Sequence, residues 1–266
     1  MTPTLDLGTH QIIALTDGVG PFLSARDLAF PDATPEQWAD ADALDPDAVD
    51  ADGEWILQFR AFAIRSDRGV TLVDTGIGPA GAPAESWTPV PGRLPEELAA
   101  AGVDPAEVTN VVLTHLHSDH IGWAVVGDDK HPYFPNAEYL LQRNEFEAVE
   151  AINPKLEGQI IAPLLRADRL RLLDGDTPLP SGEQIVATPG HTPGHQSVLV
   201  RSGRDLAVVT GDLLVHAIQL AHPGLEYAHE MDRPAAKRSR EAILATDADL
   251  HLATPHLTAP FTRYRP

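Results

Sequence analysis

Between Thr114 and Gly122 the chain reads Thr-His115-Leu-His117-Ser-Asp119-His120-Ile-Gly, four metal-capable side chains within six residues. The cluster closes an apolar run, Val111-Val112-Leu113, that reads as a buried strand, so it lies where a strand leaves the core. Two histidines at i and i+2 of an extended segment point to one side, and a following turn could carry Asp119 and His120 to a second position. Imidazole with carboxylate is a donor set for zinc, manganese or iron, whereas calcium takes oxygen alone. One isolated histidine reads best as part of a polar loop, but four ligands in six residues read as a metal site.

With 266 residues the chain can bury a sizeable core, as one large domain or two small ones. Its 43% hydrophobic and 22% charged residues are ordinary for a soluble globular protein. A net charge of −20, spread along the chain, disfavours nucleic acid and anionic membranes as partners. There is no cysteine, which excludes disulfides and thiolate ligands. The N-terminus lacks the basic start and apolar stretch of a signal peptide, and no window approaches the roughly 18 apolar residues of a membrane span. A cytoplasmic protein is the expectation.

Periodicity predicts strands over 12–15, 57–64, 70–73, 108–113, 138–141, 169–173, 184–187, 197–200, 206–210 and 249–253. It predicts helices over 94–101, 143–152, 156–165 and 234–245. The helix at 94 opens on Pro95 and two acids and is stopped by Gly102. Strands adjacent in sequence, as in 57–73 and 184–210, indicate hairpins in mixed sheets. The expected fold class is α/β, two mixed sheets face to face with helices outside, a four-layer αββα sandwich in one domain over 1–266. Segments 31–54 and 76–93 read as irregular, each either a lid or a surface excursion.

Further strand ends supply more ligands. Ala187-Thr-Pro-Gly190-His191-Thr-Pro-Gly-His195 follows a strand with tight-turn residues, Val208-Val-Thr210-Gly211-Asp212 ends in a carboxylate, and Leu250-His251-Leu-Ala-Thr-Pro255-His256 ends in a histidine. Singly these are weak, since an Asp after Gly is commonly a turn former. Together, with the stretch Leu72-Val-Asp74-Thr-Gly76 before them, they resemble the ordered signature of the metallo-β-lactamase superfamily, His-X-His-X-Asp-His, then His, bridging Asp and His. The resemblance implies that His115, His117 and His191 hold one metal, that Asp119, His120 and His256 hold a second, and that Asp212 bridges them. It favours His191 over His195 as the ligand, and places His195 and Asp74 behind the ligands. Two divalent ions, zinc first and otherwise manganese, cobalt or iron, would convert a bridging water to hydroxide for attack on a carbonyl or phosphoryl centre, with Asp119 also moving a proton.

Within that superfamily the phrases at 114–123, 133–143 and 210–219 are similar to N-acyl homoserine lactonases and organophosphate (methyl parathion-type) hydrolases. Acyl homoserine lactonases place a Tyr three residues after the bridging Asp, and here that residue is Val215. The expected substrate is a small lactone or carboxylic ester. A phosphotriester is the alternative, and a mononuclear iron persulfide dioxygenase is the alternative of another class. Phe22, Trp87, Trp123, His216 and Tyr227 are candidates for the pocket that takes an apolar acyl or aryl group. A homodimer is the default assembly if the chain oligomerises.

Overall fold

Val111 and Val112 occupy adjacent positions of one strand and are both fully buried, which requires a covering layer on each face of the sheet. The computed structural model of the protein describes residues 2–265. Its first sheet has seven strands, ordered in space as Thr4–Leu7, His10–Pro21, Ile56–Ser66, Gly69–Val73, Val108–Val112, Glu138–Gln142 and Leu170–Leu173. The first four pair antiparallel and the rest parallel. The second sheet has six, Thr177–Pro178, Gln184–Ala187, Gln196–Ser202, Asp205–Val209, Asp249–Ala253 and Phe261–Tyr264, with one parallel pair between Asp205–Val209 and Asp249–Ala253.

Alternation along the strands builds the layers. Val112, Leu140 and Phe62 of the first sheet pack on Val198, Val200 and Val209 of the second, forming the inner core of a face-to-face pair. Val111, Tyr139 and Leu72 turn outward, where Leu94, Leu98, Ile160 and Leu164 from helical segments cover them. On the far side Leu206, Val208 and Leu252 are covered by Leu214, Ala217, Leu220 and Leu244. The architecture is the expected mixed α/β sandwich of four layers. No helix among the described residues is long and apolar enough to cross a membrane.

The departures from the sequence reading have local causes. The edge strands Thr4–Leu7 and Phe261–Tyr264 alternate too weakly to stand out, and exist through pairing with Ile12 and Leu252 among others. The helix expected over 143–152 is broken at Ala148 into Arg143–Glu147 and Val149–Ile152, and that expected over 156–165 begins as a π-turn, Glu157–Ile161. Segment 31–54 is not wholly irregular. It contains the helix Pro35–Leu44, started by a capping box in which Thr34 and Gln37 exchange hydrogen bonds. Segment 76–93 has no helix or strand, yet both its ends are tied down. Buried Asp17 accepts the Ile77 N–H at 2.6 Å and the Leu94 N–H at 2.5 Å.

Candidate metal centre

The ligand candidates leave the sheets at strand ends, and four of them, His115, His120, His256 and Asp212, are then aimed by a buried neighbour. After Val108–Val112, Thr114 donates its hydroxyl to Asp74 Oδ2 at 2.9 Å, so it accepts from His115 Nδ1 at 3.0 Å. That fixes the tautomer and leaves His115 Nε2, buried and without a hydrogen-bond partner, facing the centre. The same Asp74, in a left-handed conformation (φ 60°), accepts His120 Nδ1–H at 2.8 Å and the Thr114 N–H at 2.8 Å. His256 Nδ1–H donates to the Gln58 carbonyl at 2.8 Å. The Nε2 atoms of His120 and His256 are thereby turned toward each other at 3.2 Å.

Two clusters result, His115, His117, His191 and Asp212 in one and Asp119, His120 and His256 in the other. Asp212 spans them. Its Oδ2 lies 3.1 Å from His191 Nε2, and its Oδ1 lies 3.2 Å from His120 Nε2 and 3.0 Å from His256 Nε2. His195 is directed elsewhere: Nδ1–H donates to the Thr188 carbonyl at 3.1 Å, and Nε2 accepts the Asp212 N–H at 2.9 Å. With both nitrogens engaged it aims Asp212 rather than facing the clusters. Burial pushes its pKa down to about 3, so it is the neutral acceptor this bond requires.

The electrostatics fit cations. Burial, then the neighbouring imidazoles, holds His115 and His117 well below the ordinary histidine range, leaving neutral rings with free lone pairs. Although burial disfavours charge on His120, the Asp212, Asp119 and Asp74 carboxylates raise it well above that range. Those carboxylates demand positive charge at this point. Asp212 Oδ1 is itself buried without a hydrogen-bond partner. The neutral His115 and His117 rings, the converging Nε2 atoms of His120 and His256, and an unpartnered carboxylate oxygen form a donor set suited to divalent metal.

A cavity of about 330 Å³ opens over the clusters. Its floor includes His117, Asp119, His191, Asp212 and His256, and its walls include Phe22, Trp55, Leu57, Trp87, Val215 and Tyr227. No Lys or Arg is among its lining residues. Trp87 is pinned by its indole N–H to Ser118 Oγ at 3.1 Å. Two of the expected pocket residues lie outside this lining. Trp123 donates its indole N–H to Asp17 at 3.1 Å and packs on Tyr133, bracing the loop from beneath. His216 is buried behind the wall against Phe30, Trp38 and Trp55, where its Nδ1 accepts the Ile218 N–H at 3.1 Å. Both are amphipathic rings drawn to a polar partner within an apolar setting.

Sequence reasoning also missed residues. Trp55 lines the cavity, and Asp17, Glu145 and Gln196 are buried polar groups that tie loops and sheets together. Gln196, for example, donates across the inter-sheet gap to the Leu113 carbonyl at 2.8 Å and the Leu140 carbonyl at 3.0 Å. A lone acid inside an apolar strand was the one available signal, for Asp17.

The family model described as the metallo-beta-lactamase superfamily matches residues 60–256. "Metallo-beta-lactamase domain-containing protein 1" of Mus musculus is 33% identical over 261 residues, covering 96% of this chain and 84% of the relative. An "N-acyl homoserine lactonase" of a Bacillus species is 28% identical over 199 residues, 69% of this chain and 75% of the relative. Among solved structures, the dizinc quorum-quenching lactonase AidC, in complex with a product, superposes with a TM-score of 0.77 at 24% identity, over 98% of this chain and 92% of that one. At that identity the likeness speaks to fold.

Proposed function

Because the chain belongs to the metallo-beta-lactamase superfamily, we propose that it is a dinuclear metal-dependent hydrolase acting on a lactone or carboxylic ester. The observation that carries this reading is Asp212, one carboxylate with an oxygen turned to each cluster at 3.0–3.2 Å beneath a cavity walled in part by aromatic side chains. His115, His117 and His191 would hold one cation, Asp119, His120 and His256 the other, and Asp212 both. Zinc suits so imidazole-rich a set, and manganese, cobalt or iron accept the same donors. Two such cations, when bound, supply a nucleophile from water near neutral pH and stabilise charge on the acyl oxygen.

The chain's own residues do the rest. His195 and Asp74 hold Asp212 and His120 in the orientations described above. Trp55, Trp87 and Tyr227 exclude water and take the apolar part of the substrate. Asp119, at the cavity floor, accepts a proton from the attacking water and returns it to the departing alcohol oxygen. With no Lys or Arg to pair with a phosphate or carboxylate, the cavity favours uncharged substrates. The lactonase names among relatives agree with a lactone. Val215, where acyl homoserine lactonases carry Tyr, separates this chain from them and leaves other lactones and esters in place, while the phrase at 210–219, closer to the organophosphate hydrolases, supports the second reading, an uncharged phosphotriester. A mononuclear iron oxygenase would leave the paired arrangement around Asp212 without a purpose.

The test is metal analysis joined to a hydrolysis screen of lactones, aryl esters and phosphotriesters. Two metal ions per chain and turnover of an uncharged ester are expected. Fully metallated protein inert toward all three classes would sink the substrate reading. One iron per chain with oxygen consumed would replace it.

A further inference from the structure

The turns bearing His115/His117 and His191 enter the centre from different sheets, yet one side chain reaches both. Glu145, in the short helix Arg143–Glu147, is fully buried. Its Oε1 accepts the Leu116 N–H at 2.9 Å, between His115 and His117, and its Oε2 accepts the Gly194 N–H at 2.8 Å, in the turn between His191 and His195. Glycine is what lets the second turn come this close, because a Cβ at position 194 would run into the Glu145 backbone. A carboxylate removed from water is tolerated only when its oxygens are paired, and here the partners are the backbones of the two ligand-bearing turns.

We propose that Glu145 is the positioning residue of the His115–His117–His191 site, fixing the separation of its two turns and so raising the affinity of that site alone. The inference rests on the reading that the two clusters hold metals. The other cluster is braced independently, by Asp74 on His120 and by the Gln58 carbonyl on His256. Glu145→Gln keeps the volume but sets an amide N–H₂ against one of the two backbone N–H groups, which opens the clamp.

The experiment is graded chelator extraction of the zinc-loaded full chain, following release of each ion, with a melting curve of each protein. In Glu145→Gln one ion is expected to leave 10- to 100-fold more readily and the other as in the wild type. The weakened ion must be the one lost in His117→Ala and retained in His256→Ala. Unchanged release of both ions, or equal weakening of both, overturns the proposal. A wild-type chain holding fewer than two zinc ions overturns the two-site reading and this inference with it, which distinguishes the two failures. If Glu145→Gln does not fold, amide exchange in the wild type decides. Leu116 and Gly194 protected equally with and without zinc supports the clamp, and rapid exchange of either without zinc overturns it.

Discussion

The two halves of the centre share Asp212 but are held by different means. In the Asp119–His120–His256 half, the polar partners act on the rings themselves, Asp74 on His120 and the Gln58 carbonyl on His256. In the His115–His117–His191 half, only His115 has a ring partner of that kind, Thr114, and the turns are gripped through backbone N–H groups by Glu145. A ring brace sets tautomer and orientation, whereas a backbone clamp sets the distance between two chain segments. The half that draws its histidines from two tight turns uses the clamp. The half in which a single histidine from the second sheet meets a compact Asp-His pair uses ring braces.

Removing what the halves share is expected to have the largest effect. Asp212→Ala should lower metal content below two per chain and reduce ester hydrolysis below detection, as elemental analysis and a rate assay would show. Retention of two ions would mean that Asp212 does not bridge. Next comes the counterpart of the clamp: Asp74→Asn should weaken retention of the ion at His120 by about 10- to 100-fold, measured by chelator extraction. Because Thr114 also links Asp74 to His115, equal weakening of both ions would show the halves to be coupled through that hydroxyl.

Smaller effects lie outside the clusters. Trp87→Ala should leave metal content at the wild-type value and raise KM for an apolar ester by roughly tenfold. An unchanged KM would remove this wall from substrate binding. The smallest is a pH effect belonging to neither half. Burial, then the charge of Arg26, lowers the His216 pKa to about 4. The unfolded chain therefore takes up a proton below about pH 6.5 that the folded chain refuses until about pH 4. Stability contributed by this group is complete above pH 6.5 and falls by up to about 3 kcal/mol on the way to pH 4. His216→Phe should flatten the fall in melting temperature between pH 7.5 and 5, with zinc kept in excess. An identical slope in both proteins would show that His216 titrates normally.

Much of the fold was legible because strand and helix periods are local. The runs at 57–64 and 108–113 announce buried strands, and the Gly-rich turns between 184 and 210 announce hairpins. The edge strand Phe261–Tyr264 was not legible, since its only claim to be a strand is the neighbour it pairs with. The same division runs through the site. Ligand-type residues at strand ends could be seen in the sequence, but which aromatic rings face the cavity could be seen only in part: Phe22, Trp87 and Tyr227 line it, Trp123 and His216 do not. Trp123 and Trp87 look alike in sequence, and one turns to Asp17 while the other turns to Ser118 on the cavity side.

What the sequence determined by itself was chemical and local: the donor types, their order along the chain, and the strand ends that carry them. What only the tertiary structure decided was convergence. It engaged both nitrogens of His195, leaving His191, which the ordered signature already favoured, to face the clusters, and it set one oxygen of Asp212 toward each cluster. It also placed Glu145 between two turns that lie 29 and 49 residues away in sequence. A buried polar group must find its partner wherever packing brings one, and that partner is set by the meeting of two sheets and not by any local pattern.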